Sequence, residues 1–384
     1  MKLTAQLKLQ PTTEQANALR ETLVRVNVAC NFVSEIAWNE KVFHQFPLHR
    51  LCYKAVRNNF DLSAQITVRL LAKVADAYKK DKRTKRTKRT FKPLAAISYD
   101  SRILRFDLKR DAVSIWTLNG RIKVPFVCGE RQRQLLLAQR GESDLALVND
   151  QFYLFASCDV QTPEPVDIDG FLGVDRGIIN VAVTSDGTVY GGEQVIQRRK
   201  RMLNNRKTIQ KALAKRKQRK ESTRSVRRSL KRNARKESNH SKTSNHTVAK
   251  SIVASAKAQS FGIALEQLQG IRNGKRFRRK QRYLQHSWAF HDLQQKLTYK
   301  AALAGLPVVF VPAAYTSQTC PVCDHCCKQN RVSQSSFVCR QCGFSAHADY
   351  VGALNIQRRA SVSMPDAREP YHSTGKPVAL AVGH

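Results

Sequence analysis

Acidic residues are scarce in this chain of 384 residues, where 29 Asp and Glu stand against 67 Lys and Arg, giving a formal net charge of +38. Such an excess repels itself in a compact state, so the composition predicts a polyanionic partner. Long apolar runs are missing too, and the first eleven residues alternate like a strand and do not resemble a signal sequence. We therefore expect a cytoplasmic protein with no membrane partner, and nucleic acid as the polyanion.

Several enzyme signatures are also absent. No Gly-x-Ser-x-Gly elbow, Walker loop or dinucleotide-binding glycine fingerprint occurs, so the enzyme classes that use them lack support. A convincing Tyr or Ser nucleophile motif is missing as well, which argues against a DNA-strand transferase. Hydrophobic residues make up 42% of the chain. That fraction can bury a core, so wholesale disorder is excluded.

The most specific motif is a cysteine cluster. Six of the ten cysteines fall within Cys320–Cys342, where two C-x-x-C pairs are separated by fifteen residues. This spacing is typical of a zinc ribbon, in which two tight turns each present two thiolates to one tetrahedral ion. Cys326 and Cys327 lie close to the first pair and are not assigned as ligands. The predicted ligands of one structural Zn²⁺ are Cys320, Cys323, Cys339 and Cys342.

The first part of the chain changes character twice. Met1–Leu9 alternates as a strand, and residues 12–80 carry apolar side chains at helical spacing. Short strands separated by turn residues follow, at 96–101, 103–108, 113–118, 122–126 and 152–158. The pattern predicts a small antiparallel barrel into which a helical bundle is inserted, with a linker at 161–165.

A basic tract lies in the middle of the chain. Residues 198–237 hold 19 Lys and Arg against two Glu. A solvated coil is one interpretation, but strands flank the tract on both sides, which favours long, paired helices lying on nucleic acid. Two shorter basic stretches accompany it. The candidate nucleic-acid contacts are Arg198, Arg199, Lys200, Lys215, Arg216, Arg219, Arg227 and Lys231, with Lys85, Arg86, Arg278 and Arg279.

Three carboxylates sit near the ends of predicted core elements. Asp175 and Glu266 each end an apolar strand, and Asp349 begins a helix directly after the cysteine cluster. A lone acid at such a place is usually a cap or turn residue. Three together in a chain this basic predict a site for divalent metal, because convergent carboxylates are the hard oxygen ligands that Mg²⁺ prefers.

Several segments resemble the TnpB family, transposon-encoded RNA-guided DNA endonucleases related to type V CRISPR effectors. They are Gly173–Gly177, Ile263–Glu266, Tyr315–Cys320, His347–Asp349 and Ala353–Ile356. The resemblance is specific over roughly 170–358 and only architectural over the first 165 residues. Two positions depart from the family's pattern, since Val351 stands where Asn is common and Asp324 where Gly is usual.

The resemblance implies an α/β multi-domain protein with an RNase H-like RuvC nuclease domain, a zinc ribbon inserted in it, and a β-barrel wedge carrying a helical recognition bundle. It makes Asp175, Glu266 and Asp349 the catalytic acids that hold two Mg²⁺ ions. The expected boundaries are 1–11 and 93–165 for the wedge, 12–92 for the bundle with its basic linker, 166–316 and 347–360 for the nuclease domain with a basic insertion at 198–250, 317–346 for the ribbon, and 361–384 for a disordered tail.

The implied partners are a guide RNA derived from the transposon end and double-stranded DNA with a short flanking motif. A monomer in the cytoplasm of a prokaryotic cell is expected. Two alternatives stay open: an RNA-guided DNA-binding regulator that does not cleave, and a compact type V CRISPR effector.

Overall fold

The computed structural model describes residues 1–79, 87–177, 180–191, 193–268 and 290–363. The predictions for Lys85, Arg86, Arg278 and Arg279, and for the chain after residue 363, lie outside this part. The chain divides into two compact units, of which the first runs from Met1 to Gln161 and the second begins at Thr162.

Three helices form the bundle of the first unit, as the apolar spacing predicted: α1 (Thr13–Asn39), α2 (Gln45–Phe60) and α3 (Ala64–Lys79). Helix α1 starts at a capping box. Gln15 donates its backbone N–H to the Thr12 hydroxyl (3.3 Å), and Thr12 donates its own to the Gln15 side chain (3.1 Å). These two bonds satisfy donors that a helix start leaves without partners.

The first unit also holds a seven-stranded antiparallel sheet in the order β2-β6-β7-β1-β5-β4-β3. Its strands are β1 (Lys2–Leu9), β2 (Ile97–Tyr99), β3 (Leu104–Asp107), β4 (Ala112–Thr117), β5 (Gly120–Val127), β6 (Gln139–Val148) and β7 (Gln151–Asp159). Strand β1 lies between β5 and β7, so the chain start is central to the sheet. Strand β6 and the short helix before it, α4 (Glu130–Leu137), were not predicted.

Polar side chains on α1 hold the segment 89–95 in place through hydrogen bonds to its backbone. Asn31 exchanges two hydrogen bonds with the Phe91 backbone, at 2.7 and 2.9 Å. One turn on either side, Ser34 donates to the carbonyl of residue 89 (2.6 Å) and Asn27 to those of 93 and 95 (3.2 and 2.8 Å). We call these three side chains the α1 ladder. They give backbone groups outside any sheet hydrogen-bonding partners within the protein.

The second unit is built on a five-stranded sheet in the order β10-β9-β8-β11-β12. Its strands are β8 (Gly170–Asp175), β9 (Asn180–Thr184), β10 (Val189–Gly191), β11 (Phe261–Gln267) and β12 (Val308–Pro312). Strands β8, β11 and β12 run parallel, whereas β9 and β10 are antiparallel. The observed architecture is α/β, as expected.

Two long helices follow the sheet's first three strands, α5 (Glu193–Gln218) and α6 (Arg224–Ala258). The paired helices predicted for the basic tract are therefore confirmed. The C-terminal end of α6 is its apolar part, where residues such as Ala249 and Ile252 are fully buried. Thus one helix runs from the basic surface into the core.

Helices α7 (Phe290–Leu303) and α8 (Ala348–Ser363) complete the second unit, with a small hairpin, β13 (Ser336–Val338) and β14 (Ser345–His347), just before α8. Helix α8 includes residues 361–363, so the prediction that the disordered tail begins at residue 361 was wrong for these three residues. It packs very closely on β8, because a Cβ on Gly173 would lie 2.1 Å from the Ala353 carbonyl oxygen. Only glycine permits this approach.

Candidate functional site

Parallel pairing brings two of the predicted acids to one edge of the sheet. Leu265 of β11 is in register with Val174 of β8, so Glu266 and Asp175 follow side by side. Helix α8 supplies Asp349 in its first turn. One turn further, Gly352 faces Asp175, and a Cβ at that glycine would lie 3.2 Å from the carboxyl carbon. The structure therefore groups the three acids that the sequence places far apart.

Each of the other two acids is held by a hydrogen bond to one oxygen. The Asn180 side chain donates to Asp349 (2.9 Å), and the buried Thr316 hydroxyl donates to Glu266 (2.7 Å). Such bonds fix the orientation of a carboxylate and leave its second oxygen for another partner.

A buried arginine lies behind the acids. Arg176 is 5% exposed and donates to the Glu266 carbonyl oxygen and to the Gln294 side chain (3.0 Å). Burial lowers the pKa of its guanidinium to about 10. Because that value is far above neutrality, Arg176 supplies a fixed positive charge beside a cluster of acids.

The electrostatics of the cluster favour a cation. Burial, together with the charges of the neighbouring Glu266 and Asp349 carboxylates, raises the pKa of the Asp175 carboxyl to about 8. Burial also raises the pKa of Glu266, against the hydrogen bond from Thr316 and the charge of Arg176. Neighbouring acids that resist ionisation in this way are what a divalent ion stabilises in charged form, and an all-oxygen donor set suits Mg²⁺.

The four predicted zinc ligands come together. The Cys320 and Cys342 sulfurs lie 3.6 Å apart and those of Cys323 and Cys339 3.5 Å apart, and all four lie within 4.8 Å of one another. A tetrahedral ion with Zn–S bonds of about 2.3 Å needs sulfurs separated by about 3.8 Å. The thiols thus fit one Zn²⁺. Within the described residues, no other group of His, Cys, Asp or Glu side chains converges as tightly.

One thiol of this group is already disposed to ionise. Burial raises the pKa of Cys339, yet it settles lower, at about 6, because the backbone N–H groups of Cys342 and Gln341 donate to the sulfur. Thiolate is the form that binds metal.

The cysteine segment is tied to α8. Asp324, where the TnpB pattern usually has Gly, adopts a left-handed backbone with φ +60° and forms an ion pair with Arg358 of α8. Cys320 and Cys339 pack with Phe337, and Ala348 and Val351 of α8 belong to the same buried cluster. The helix that carries Asp349 therefore rests directly on the thiol site.

Basic side chains cover the paired helices. Arg198, Lys200, Lys215, Arg219, Arg227 and Lys231 are exposed, and Arg216 is half-buried against Ser225 and Ser222. Arg199 differs, because it is only 6% exposed. Burial makes it a packing residue and removes it from the surface that a phosphate chain can reach. The remaining seven lie between residues 198 and 231 on the paired helices and make up the candidate surface.

Sequence reasoning missed the residues that hold the acids. Thr316 lies in a segment quoted for the TnpB resemblance, but nothing local links it to Glu266, fifty positions away. Asn180 reaches Asp349 across 169 positions. The sequence gives no sign of the role of Gly352, since a glycine occurs inside a helix for many different reasons. Only the folded arrangement shows what these residues touch.

Geometry and thiols together define an α/β protein with an acidic cluster, a zinc-ribbon-type metal site and a basic helical surface. A family model described as "Cas12f1-like, TNB domain" matches residues 290–356, which include Asp349 and all four thiols. None of the described helices combines the length and apolarity that crossing a bilayer requires.

Several curated proteins are similar to this chain. It is 43% identical over 116 residues to a CRISPR-associated endodeoxyribonuclease Cas12f1 of Sulfoacidibacillus thermotolerans, covering 30% of this chain and 26% of that protein. It is 29% identical over 220 residues to the putative RNA-guided DNA endonuclease InsQ of Escherichia coli K12, covering 54% and 53%. A TnpB-like protein of Methanocaldococcus jannaschii is 30% identical over 136 residues, covering 34% and 46%. The resemblance to TnpB is thereby confirmed, and the chain spans about a quarter of the length of the Cas12f1 relative.

The fold has a counterpart among solved structures. The structure described as the Cas12f1–sgRNA–target DNA complex superposes with a TM-score of 0.59 at 17% identity, covering 90% of this chain and 83% of that chain. At this identity the likeness concerns the fold alone.

Proposed function

We propose that this protein is an RNA-guided DNA endonuclease of a transposable element, which cleaves DNA beside a short flanking motif by metal-dependent phosphodiester hydrolysis. The observation that carries the proposal is the grouping of Asp175, Glu266 and Asp349 at one edge of a sheet. The similarity to proteins named as endodeoxyribonucleases and as a putative RNA-guided endonuclease supports it. On this proposal the β8–β12 sheet is the core of an RNase H-like RuvC domain, the first unit comprises wedge and recognition parts, and the protein acts in the cytoplasm.

In this proposal Asp175, Glu266 and Asp349 hold two Mg²⁺ ions, which when bound activate water and stabilise the leaving oxygen. Asn180 and Thr316 orient two of the carboxylates, and the fixed charge of Arg176 offsets part of their mutual repulsion. The tight packing of Gly352 on Asp175 keeps a side chain out of the space beside that carboxyl group. The thiol site would hold one structural Zn²⁺, since it contains no ligand besides the four cysteines.

The exposed basic face of α5 and α6 would bind the guide RNA. Its charge supplies affinity for phosphates without reading sequence, so base pairing between guide and target would choose the site. The alternative function, guided binding without cleavage, requires no intact set of acids. All three are present here, and Glu266 and Asp349 each have a hydrogen-bonding partner, which favours the nuclease.

The first test concerns the acids. We expect Asp175→Asn to reduce DNA cleavage by at least about a thousandfold, because a neutral amide cannot replace a carboxylate ligand. Asp169→Asn is the matched control, since this exposed acid lies just before the same strand. Cleavage with Mg²⁺ should be measured alongside RNA and DNA affinity, which should stay within about threefold of wild type. An Asp175 variant that cuts normally would refute the assignment.

The second test concerns guidance. RNA that co-purifies with the protein is sequenced. Two DNA duplexes are then made, one that matches its guide segment and one in which that sequence is scrambled. We expect cleavage of the matched duplex only, only with RNA, and with the least tolerance for mismatches near the flanking motif. Equal cleavage of both duplexes would leave a non-specific nuclease, and binding without cleavage would favour the regulator.

A further inference from the structure

The loop before the first cysteine pair contacts both metal regions of the second unit through its buried residue Thr316. Thr316 is 3% exposed and lies four residues before Cys320. Its hydroxyl lies 2.7 Å from Glu266 Oε1 and 3.2 Å from the Ala313 carbonyl oxygen. A hydroxyl has one proton to donate, and the shorter contact to a charged acceptor takes it when Glu266 is ionised.

The same loop is fixed from the other side by α8. Asn355 is 3% exposed, and its side-chain amide donates to the backbone carbonyls of Thr316 (2.7 Å) and Thr319 (2.8 Å). Both donors of the amide are therefore used to shape the stretch that leads into the thiol site. Because this helix also carries Asp349, one rigid element sets the position of one acid directly and of another through Thr316.

We propose that Thr316 and Asn355 are positioning residues for Glu266, so that the folded zinc ribbon sets the divalent-ion affinity of the acidic cluster. The inference rests on the proposed function of the three acids. Cys320 is fully buried at the end of the Asn355-held loop. The fold of the thiol site and the orientation of Glu266 thus share one hydrogen-bonded chain: Asn355 to the Thr316 backbone, and the Thr316 hydroxyl to the carboxylate.

The test compares Thr316→Val with Thr316→Ser. Valine has the shape of threonine without the hydroxyl, whereas serine keeps the hydroxyl. Mn²⁺ binding to the protein is measured directly by calorimetry and by electron paramagnetic resonance, in the absence of DNA. Removing a residue that orients a metal ligand typically costs 10–100-fold in affinity, so we expect Thr316→Val to weaken Mn²⁺ binding about tenfold and Thr316→Ser to restore most of it.

Thr319→Val is the control, because this hydroxyl in the same loop donates to the Tyr315 carbonyl (3.0 Å) and not to Glu266. Its Mn²⁺ affinity should equal that of wild type. Zinc content should be unchanged in all three variants, because none removes a thiol. If Thr316→Val bound Mn²⁺ like wild type with its zinc retained, the positioning role would be wrong.

Asn355→Leu tests the second link. As a single substitution, Asn355→Leu should weaken Mn²⁺ binding. In the double variant with Thr316→Val it should weaken binding less than twofold beyond Thr316→Val, because the effects of residues that act through one another are not additive. Fully additive losses of Mn²⁺ affinity would show that Asn355 does not act on Glu266 through Thr316. Should Asn355→Leu fail to fold, the valine and serine pair at Thr316 still decides the matter.

The two proposals fail differently. If Glu266→Ala still cleaves DNA, the proposed catalytic acids are wrong, whatever Thr316 does. If Glu266→Ala abolishes cleavage while Thr316→Val binds metal and cleaves like wild type, the nuclease proposal stands and the positioning role falls.

Discussion

The acidic cluster and the basic helices of the second unit are organised in opposite ways. In the cluster, three acids lie on buried elements, and named side chains hold Glu266 and Asp349. On α5 and α6 most candidate residues are exposed, and no residue of α5 whose side chain is described, apart from Arg199, is buried. The function we propose for the acidic cluster depends on the exact position of each side chain, whereas the function we propose for the basic helices depends on their total charge. Single substitutions should therefore be severe in one and mild in the other.

Loss of zinc should give the largest effect. Cys339→Ser leaves three thiolates, and because metal binding is coupled to folding, we expect less than about half an equivalent of zinc and an unfolded ribbon. Since Ala348 and Val351 pack against this site, DNA cleavage should fall with it. Elemental analysis and proteolysis measure the outcome. The exposed Cys326 provides the control, and Cys326→Ser should retain zinc. Full zinc in Cys339→Ser would show that the four thiols do not act as one site.

The close approach of β8 and α8 should give the next largest effect. Gly173→Ala places a methyl group against the Ala353 carbonyl, and overpacking of this kind costs about 3 kcal/mol of unfolding free energy. Gly170→Ala on the same strand is the control, because its new Cβ would meet the Phe261 ring at an ordinary 3.4 Å. Denaturant titration compares the two. Equal stability would mean that α8 moves away easily, and the acids would then be less firmly placed than we infer.

On the basic helices, only a combined change should be severe. Replacing Arg216, Arg219 and Arg227 with Glu should weaken RNA binding, and the log–log salt dependence should become shallower by about 2, from about 0.7 for each of three contacts. The same three positions changed to Lys keep the charge and should bind nearly as well. Filter binding at several salt concentrations measures both. A large loss in the lysine variant would show that geometry also matters here, against the contrast drawn above.

The smallest effect should come from a single change on that surface. The Arg219 side chain is 72% exposed and lies 3.8 Å from Glu221. An exposed pair of this kind contributes little, so Arg219→Ala should change the unfolding free energy by less than about 0.5 kcal/mol. Thermal denaturation and RNA titration check this. A severe defect would indicate that Arg219 makes a specific contact.

The sequence allowed prediction of those features whose signal is local. Apolar spacing predicted a helical bundle over residues 12–80, the charge tract predicted paired helices, and the two C-x-x-C pairs predicted the thiol site. Strand β6 was missed because its first half, from Gln139 to Asp144, is polar, and its pairing with β2 and β7 is what makes it a strand. Arg199 was misjudged because burial depends on packing that a charge run does not reveal.

The candidate site divides in the same way. Asp175, Glu266 and Asp349 were selected from their places at element ends and from the resemblance to TnpB. The side chains that hold them were not, because Thr316 and Asn180 meet their acids only through the fold. The catalytic roles of Asp175, Glu266 and Asp349 stay a prediction until the substitutions described above are measured.

The α1 ladder has a practical consequence for engineering. It fixes the segment 89–95 where the chain returns from the stretch after α3, and the Arg89 backbone N–H also donates to the Tyr78 hydroxyl (3.2 Å) at the end of that helix. Side chains of the bundle thus hold the chain on both sides, at Tyr78 and at residues 89–95. Because these contacts hold Tyr78 and Arg89 together whatever joins them, added length costs little closure entropy, and a peptide tag or a small fluorescent domain inserted between Lys79 and Thr87 should leave the bundle folded.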